Sequence, residues 1–172
     1  VKKTIQTIVF LFCFTPCFTQ NIGIGADAIY NFQTESFGAG ARVSIFPNNR
    51  LSFVPQVSYY FPFNKVHEYY LGLALEYKVV VKTKFHLYAL AHGAYNSWLN
   101  HDESAMKDAR PNNWDAELGG GISTNKCLRP FAECRYNVKF KEAHARLGLL
   151  YIFGCSSKTK GYKAGHLCPA YN

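Results

Sequence analysis

Between residues 21 and 153 apolar and polar side chains alternate with a period of two, and short Gly, Asn and Pro segments punctuate the alternation. That period belongs to half-exposed β-strands and the punctuation to tight turns between them. Eight strands are predicted, at 21–33, 36–46, 51–61, 67–80, 83–97, 113–124, 128–140 and 143–153. In LGLALEY, Leu71, Leu73, Leu75 and Tyr77 oppose Gly72, Ala74 and Glu76. In WDAELGGGI, Trp114, Ala116, Leu118, Gly120 and Ile122 oppose Asp115, Glu117, Gly119 and Gly121. ARLGLLYIF sets Ala145, Leu147, Leu149, Tyr151 and Phe153 against Arg146, Gly148, Leu150 and Ile152, and PFAECRYNV sets Ala132, Cys134, Tyr136 and Val138 against Glu133 and Arg135. Large residues therefore share one face, and small or charged residues the other.

Parity does not say which face looks inward, but size does. A soluble barrel keeps its interior apolar, whereas a membrane barrel puts bulky apolar residues outside and tolerates paired charges inside. Eight strands enclose little more than side chains, so the glycine- and alanine-rich phase is the better lining. Asp27, Arg42, Glu76, Glu117, Glu133, Arg135 and Arg146 fall on that phase. Enclosed together, four acids and three arginines can share hydrogen bonds; facing lipid, each would be costly to desolvate. Glu76, Glu117, Arg135 and Arg146 are expected to bridge the lumen, so a wide continuous pore is not expected.

The opposite phase carries Tyr30, Phe32, Phe46, Phe53, Tyr59, Phe61, Tyr69, Tyr77, Tyr95, Trp114, Tyr136, Phe140, Tyr151 and Phe153, mostly toward strand ends. Two rings of aromatics at that height suit the two interfaces of a bilayer. Turn lengths give a polarity. PNNR, VVVKTK and STNKCL are expected on the periplasmic side, and FNKVHE, NHDESAMKDARPNN and NVKFKEA outside.

Ahead of the first strand, Lys2 and Lys3 precede the apolar run IQTIVFLFCF and the breaker TPCFTQ, the layout of a secretory signal peptide. Cleavage is expected before Gln20, giving residues 1–19 as leader, 20–154 as barrel and 155–172 as a basic, cysteine-containing tail. Neither Cys13 nor Cys17 follows a convincing lipoprotein run; a retained apolar helix is the other reading. No later stretch is long and apolar enough for a membrane helix, so a membrane-spanning chain would cross with strands. Removing two lysines lowers the formal charge from +8 to +6, a modest excess with no nucleic-acid footprint. In an exported chain Cys127, Cys134, Cys155 and Cys168 permit disulfides, and their spacing is poor for zinc. Cys127 lies in the turn before the seventh strand and Cys155 just after the eighth, so Cys155 is expected to bond either Cys127 or Cys168. Cys134 lies farther along its strand on the lipid-facing phase.

With YYLGLALEY, WDAELGGGIS and ARLGLLYIFG in place, residues 21–153 resemble the small eight-stranded outer-membrane barrels of the OmpA type. The resemblance implies a closed, all-β, eight-stranded antiparallel transmembrane barrel with a short periplasmic tail. It also implies an outer-membrane address and no common catalytic set. Members serve as envelope scaffolds, adhesins or accessory parts of larger assemblies. The tail departs from members that carry a peptidoglycan-binding domain, being shorter than that domain.

Chemistry elsewhere is thin. GYKAGHLCPAYN is similar to the histidine segment of the ββα-metal nonspecific endonucleases, but only His166 carries over, as the base. Ala164 stands where that motif has arginine, and the metal-holding helix has no counterpart after Asn172 in this sequence. His67, His101 and His144 fall near expected external links; His86 and His92 point inward, roughly 20 Å apart along one strand and unable to share a metal. Ser44, Ser52, Ser58 and Ser123 lack a nucleophile-elbow context, and GIGADA and GGGIS lack the spacing of a phosphate loop. The expected protein is a non-enzymatic outer-membrane barrel, a structural or accessory component of an envelope assembly that interacts through its external loops or its tail. Outer-membrane lipid and an envelope complex are its expected partners, with no catalytic, cofactor-binding or metal residue, no nucleic acid and no specific small molecule. Both termini are expected in the periplasm. A soluble lipocalin-like binding barrel, a narrow channel and a truncated nuclease are the alternatives.

Overall fold

The computed structural model describes residues 22–63, 66–99 and 111–155. The expected leader, most of the polar link that starts at Asn100, and the tail with His166 and Cys168 lie outside the described residues. Eight strands follow one another: β1 (Ile22–Asn31), β2 (Ser36–Ile45), β3 (Leu51–Phe63), β4 (Val66–Val81), β5 (Phe85–Leu99), β6 (Asn112–Thr124), β7 (Leu128–Asn137) and β8 (Glu142–Ile152). Each pairs antiparallel with the next, and β8 returns to β1 from Gly23↔Ile152 to Asn31↔His144, closing the barrel. Closure leaves no strand edge with unpaired backbone groups, the condition for crossing hydrocarbon with strands.

The burial pattern follows the parity of the sequence. Along β5 the string Phe85 to Tyr95 alternates exposed and buried at every step. Exposed aliphatics such as Leu71, Leu73, Leu118, Leu147 and Leu149 form the middle of the outer wall. Exposed Phe32, Phe37, Phe61, Tyr69, Tyr95, Trp114 and Tyr136 flank it on one side, and Phe53, Tyr77, Phe85, Tyr151 and Phe153 on the other. From Tyr69 to Tyr77 the outward face of β4 runs roughly 27 Å along the strand, enough for the tilted, apolar band of a membrane barrel. An apolar wall of this extent facing water would be an aggregation surface.

Four local expectations need correction. The seventh strand ends at Asn137, not 140. Asn137 Oδ1 accepts the backbone N–H groups of Lys139 (3.0 Å) and Phe140 (3.0 Å), and Lys141 takes φ 58°, so the chain turns where alternation alone would continue it. Phe140 and Phe46 are accordingly turn residues rather than strand members of a girdle; Phe46 has φ 58° just past β2. His144 is buried in the lumen, three residues into β8, not beside an external link. The fourth correction is to strand lengths: β5, expected at 83–97, runs Phe85–Leu99 because Trp98 N–H still finds the Pro111 carbonyl at 2.8 Å.

Candidate functional site

The lumen is the chemically distinctive part of the molecule, and its filling can be built from one rule: every second residue of every strand points into it. All seven charged residues expected there do so. Asp27, Arg42, Glu117, Glu133, Arg135 and Arg146 are buried, and Glu76 is half-buried.

Glu133 is the hub of the central layer. Arg42, three strands away around the wall, donates to both its carboxylate oxygens, at 2.5 and 3.1 Å, while Arg135 Nε (2.9 Å) and Tyr88 Oη (2.8 Å) donate to it as well. Arg135 reaches on to Gln56 Oε1 (3.2 Å) on β3, the strand diametrically opposite β7. Arg42 also lies 3.4 Å from Glu76 and 3.4 Å from Asp27, and Arg146 donates to Asp27 (3.2 Å) and to Ser58 Oγ (2.9 Å). Glu117 takes His92 Nδ1 at 2.8 Å and stands 3.5 Å from Arg135. The anticipated bridging therefore occurs, with Arg42 and Glu133 at its centre and Glu76, Glu117, Arg135 and Arg146 around them. Charges this deep are tolerated only when paired and hydrogen-bonded, which is how they are held here.

The interior glycines make room for these groups. A Cβ on Gly72 would collide with His92 Nε2, and one on Gly121 would lie 2.6 Å from Tyr88 Cζ and 2.7 Å from its Oη. Small residues on the inward phase are thus the footprints of large ones on the neighbouring strand.

Two flanking layers close the ends. Toward the turns 32–35 and 138–141 the lining is acidic: Glu68 Oε1 accepts from Tyr70 Oη (3.0 Å), Asn96 Nδ2 (2.5 Å) and Trp98 Nε1 (2.7 Å), Asp115 is buried near it, and Glu142 accepts from Asn31 Nδ2 (2.8 Å). Tyr60 Oη lies 2.9 Å from His144 Nδ1, joining β3 to β8 across the lumen. Toward the turns 46–50, 82–84 and 125–127 the lining is basic. Lys78 Nζ and Arg129 Nη1 both donate to the Pro47 carbonyl, at 2.6 and 2.9 Å, and Arg129 Nη2 donates to Asn48 Oδ1 (2.6 Å), so the β2–β3 turn is drawn over the mouth. His86 Nδ1 pairs with Asn125 Oδ1 (2.7 Å). Behind that turn remains a cavity of about 20 Å³ lined by Ser44, Ser52, Lys78, His86, Ser123 and Arg129, room for a water or two. At the same rim Cys127 and Cys155 form a disulfide with Cα atoms 5.4 Å apart, which selects one of the two expected pairings; Cys134 is exposed on the outer face.

Lys78, Arg129, Tyr60, Tyr70, Tyr88 and Glu68 were not singled out by sequence, although parity marks them: Lys78 follows Glu76 by two and Tyr60 follows Ser58 by two. The tyrosines were hidden by the presumption that a ring in a strand faces lipid.

No protein-family model matches the sequence, and no curated protein matches it. Among solved structures, the N-terminal β-barrel domain of Pseudomonas aeruginosa OprF is similar with a TM-score of 0.60 at 19% identity, over 78% of this chain and 98% of that one. Neisserial surface protein A gives 0.55 at 17% identity, over 77% and 97%, and a de novo designed transmembrane β-barrel gives 0.54 at 13%, over 77% and 94%. Likeness to the designed barrel underlines that geometry is what is shared. With its apolar wall, ion-paired lumen and closed order of eight antiparallel strands, the chain has the fold of the small outer-membrane barrels of the OmpA type.

Proposed function

We propose that this chain is an outer-membrane barrel with an occluded lumen, serving the envelope as a structural or accessory component rather than as an enzyme or an open channel. The carrying observation is the inversion of polarity: aliphatic side chains cover the outside while arginines and carboxylates meet across the inside. The short turns and the Cys127–Cys155 rim face the periplasm, with residues 1–19 removed as a leader, 20–154 forming the barrel and 155–172 remaining as a tail. Supporting this orientation, the described turns of the disulfide rim are short, whereas the opposite rim carries the long β5–β6 link. Interaction with an envelope partner then falls to the external links or the tail.

Folding of the mature protein in detergent tests the membrane reading. The expected result is a strand-dominated circular dichroism spectrum and a heat-dependent gel shift; a monomer soluble without detergent would instead favour a periplasmic binding barrel. Planar-bilayer recording tests occlusion: steady, large single-channel conductance from pure protein would overturn it.

A further inference from the structure

The rim that carries the disulfide has a charge pattern that the filled lumen does not use. Each of its three turns presents exposed base: Arg50 from the first, Lys82 and Lys84 from the second, Lys126 from the third. No acidic residue occurs in those turns or in the described residues that follow β8. The bases therefore form a collar over the three turns of the mouth, open at the β8–β1 junction among the described residues. Directly beyond them lies the aromatic belt of Phe53, Tyr77, Phe85, Tyr151 and Phe153, and then the aliphatic wall. Arg50 marks the junction, its guanidinium 5.4 Å from the Tyr77 ring centroid. The opposite rim differs, because exposed Lys139 and Lys141 share it with exposed Glu35 and half-buried Glu68 and Glu142.

We infer that Arg50, Lys82, Lys84 and Lys126 form a binding collar for the headgroups of acidic phospholipids in the leaflet at the disulfide rim. The height of the bases decides the class of partner. An aromatic belt sits at the boundary between hydrocarbon and headgroups, so cations just outside it stand at the level of the phosphates. A phospholipid with net negative charge satisfies such a cation while its acyl chains cover the adjacent apolar wall; a zwitterionic one brings its own ammonium and loses the advantage. The absence of neighbouring acids means no internal carboxylate competes. The inference rests on the membrane-embedded reading proposed above.

The test uses the full mature chain folded into vesicles of equimolar phosphatidylcholine and phosphatidylglycerol, with trace spin-labelled lipid of either headgroup. Electron paramagnetic resonance then reports the motionally restricted fraction of each. At low salt the labelled phosphatidylglycerol should associate roughly fivefold more strongly at collar sites than phosphatidylcholine. The preference should fall to near parity in the quadruple variant Arg50→Gln, Lys82→Gln, Lys84→Gln and Lys126→Gln, and should persist in Lys139→Gln with Lys141→Gln at the other rim. Equal association of both headgroups with the unaltered protein overturns the inference, as does a preference that survives in the quadruple variant or disappears with the opposite rim. Folding is monitored separately by gel shift. Failure of the unaltered protein to insert at all would sink the membrane reading, whereas insertion without headgroup preference would sink only the collar.

Discussion

The centre of the lumen and its disulfide-rim end hold buried cations in different ways. In the centre, Arg42 and Arg146 meet carboxylates that project from other strands of the wall, and Arg135 pairs with Glu133 on its own strand while standing 3.5 Å from Glu117 on β6. At the rim, Lys78 and Arg129 direct hydrogen bonds to the backbone carbonyl of Pro47, and Arg129 donates as well to Asn48 Oδ1 and to the Lys126 carbonyl. The first arrangement ties wall to wall; the second ties a turn to the wall. A wall-to-wall tie is expected to govern cohesion of the barrel, and a turn-to-wall tie to govern whether its mouth is covered.

The comparison can be broken most directly at Glu133. Glu133→Ala leaves Arg42 and Arg135 buried beside one lost partner, and unfolding in urea from detergent micelles should show a loss of roughly 4 kcal/mol. A loss below about 1 kcal/mol would mean that water or rearrangement replaces the hub. Cys127→Ser removes the covalent tie at the rim; chain entropy for a separation of 28 residues puts the cost at about 3.5 kcal/mol, read from the same titration under non-reducing conditions. The loss should vanish when both proteins are compared reduced.

Arg129→Met should cost about 2 kcal/mol, the worth of hydrogen bonds from one charged group. It should also raise the frequency of brief conductance events in planar bilayers, because the β2–β3 turn is then held at Pro47 by Lys78 alone among the side chains described. A variant with normal stability loss and silent recordings would show that the central layer alone occludes the lumen. The smallest effect is expected from adjacent glycines. Gly121→Ala drives a methyl group into Tyr88 and should cost about 1 kcal/mol or more, whereas outward Gly120, with its nearest neighbour 3.3 Å away, should accept alanine with less loss. Equal effects at the two positions would argue against the inward assignment of Gly121.

Two prolines show how closely local sequence and ladder agree. Pro55 lies where the β2–β3 ladder is interrupted between Arg42↔Gln56 and Ile45↔Phe53, and Pro130 lies beyond the last β6–β7 pair, Ser123↔Phe131. Neither position needs an N–H for those ladders, so a residue that normally excludes a closed sheet is accommodated. The charged lining was legible for the same kind of reason: Glu117, Glu133, Arg135 and Arg146 interrupt a small-residue phase, and only an enclosed, mutually neutralised setting makes them affordable. His144 and Tyr60 were less legible because residues near predicted loops, and rings in strands, have a plausible place outside.

By itself the sequence determined the number of strands, their parity, the membrane-facing phase, the inward set of charges and the rim that holds Cys127 and Cys155. Period-two alternation carries that information because side-chain direction in a strand is set one residue at a time. Only the tertiary structure decided that Arg42 meets Glu133 across the lumen, that Lys78 and Arg129 converge on Pro47, and that Cys155 bonds Cys127. Those partners stand 91, 31, 82 and 28 residues apart; Arg42–Glu133 and Arg129–Pro47 meet only because the sheet closes on itself, whereas Lys78 reaches Pro47 across the neighbouring β3–β4 pair and Cys127 meets Cys155 through the β7–β8 register.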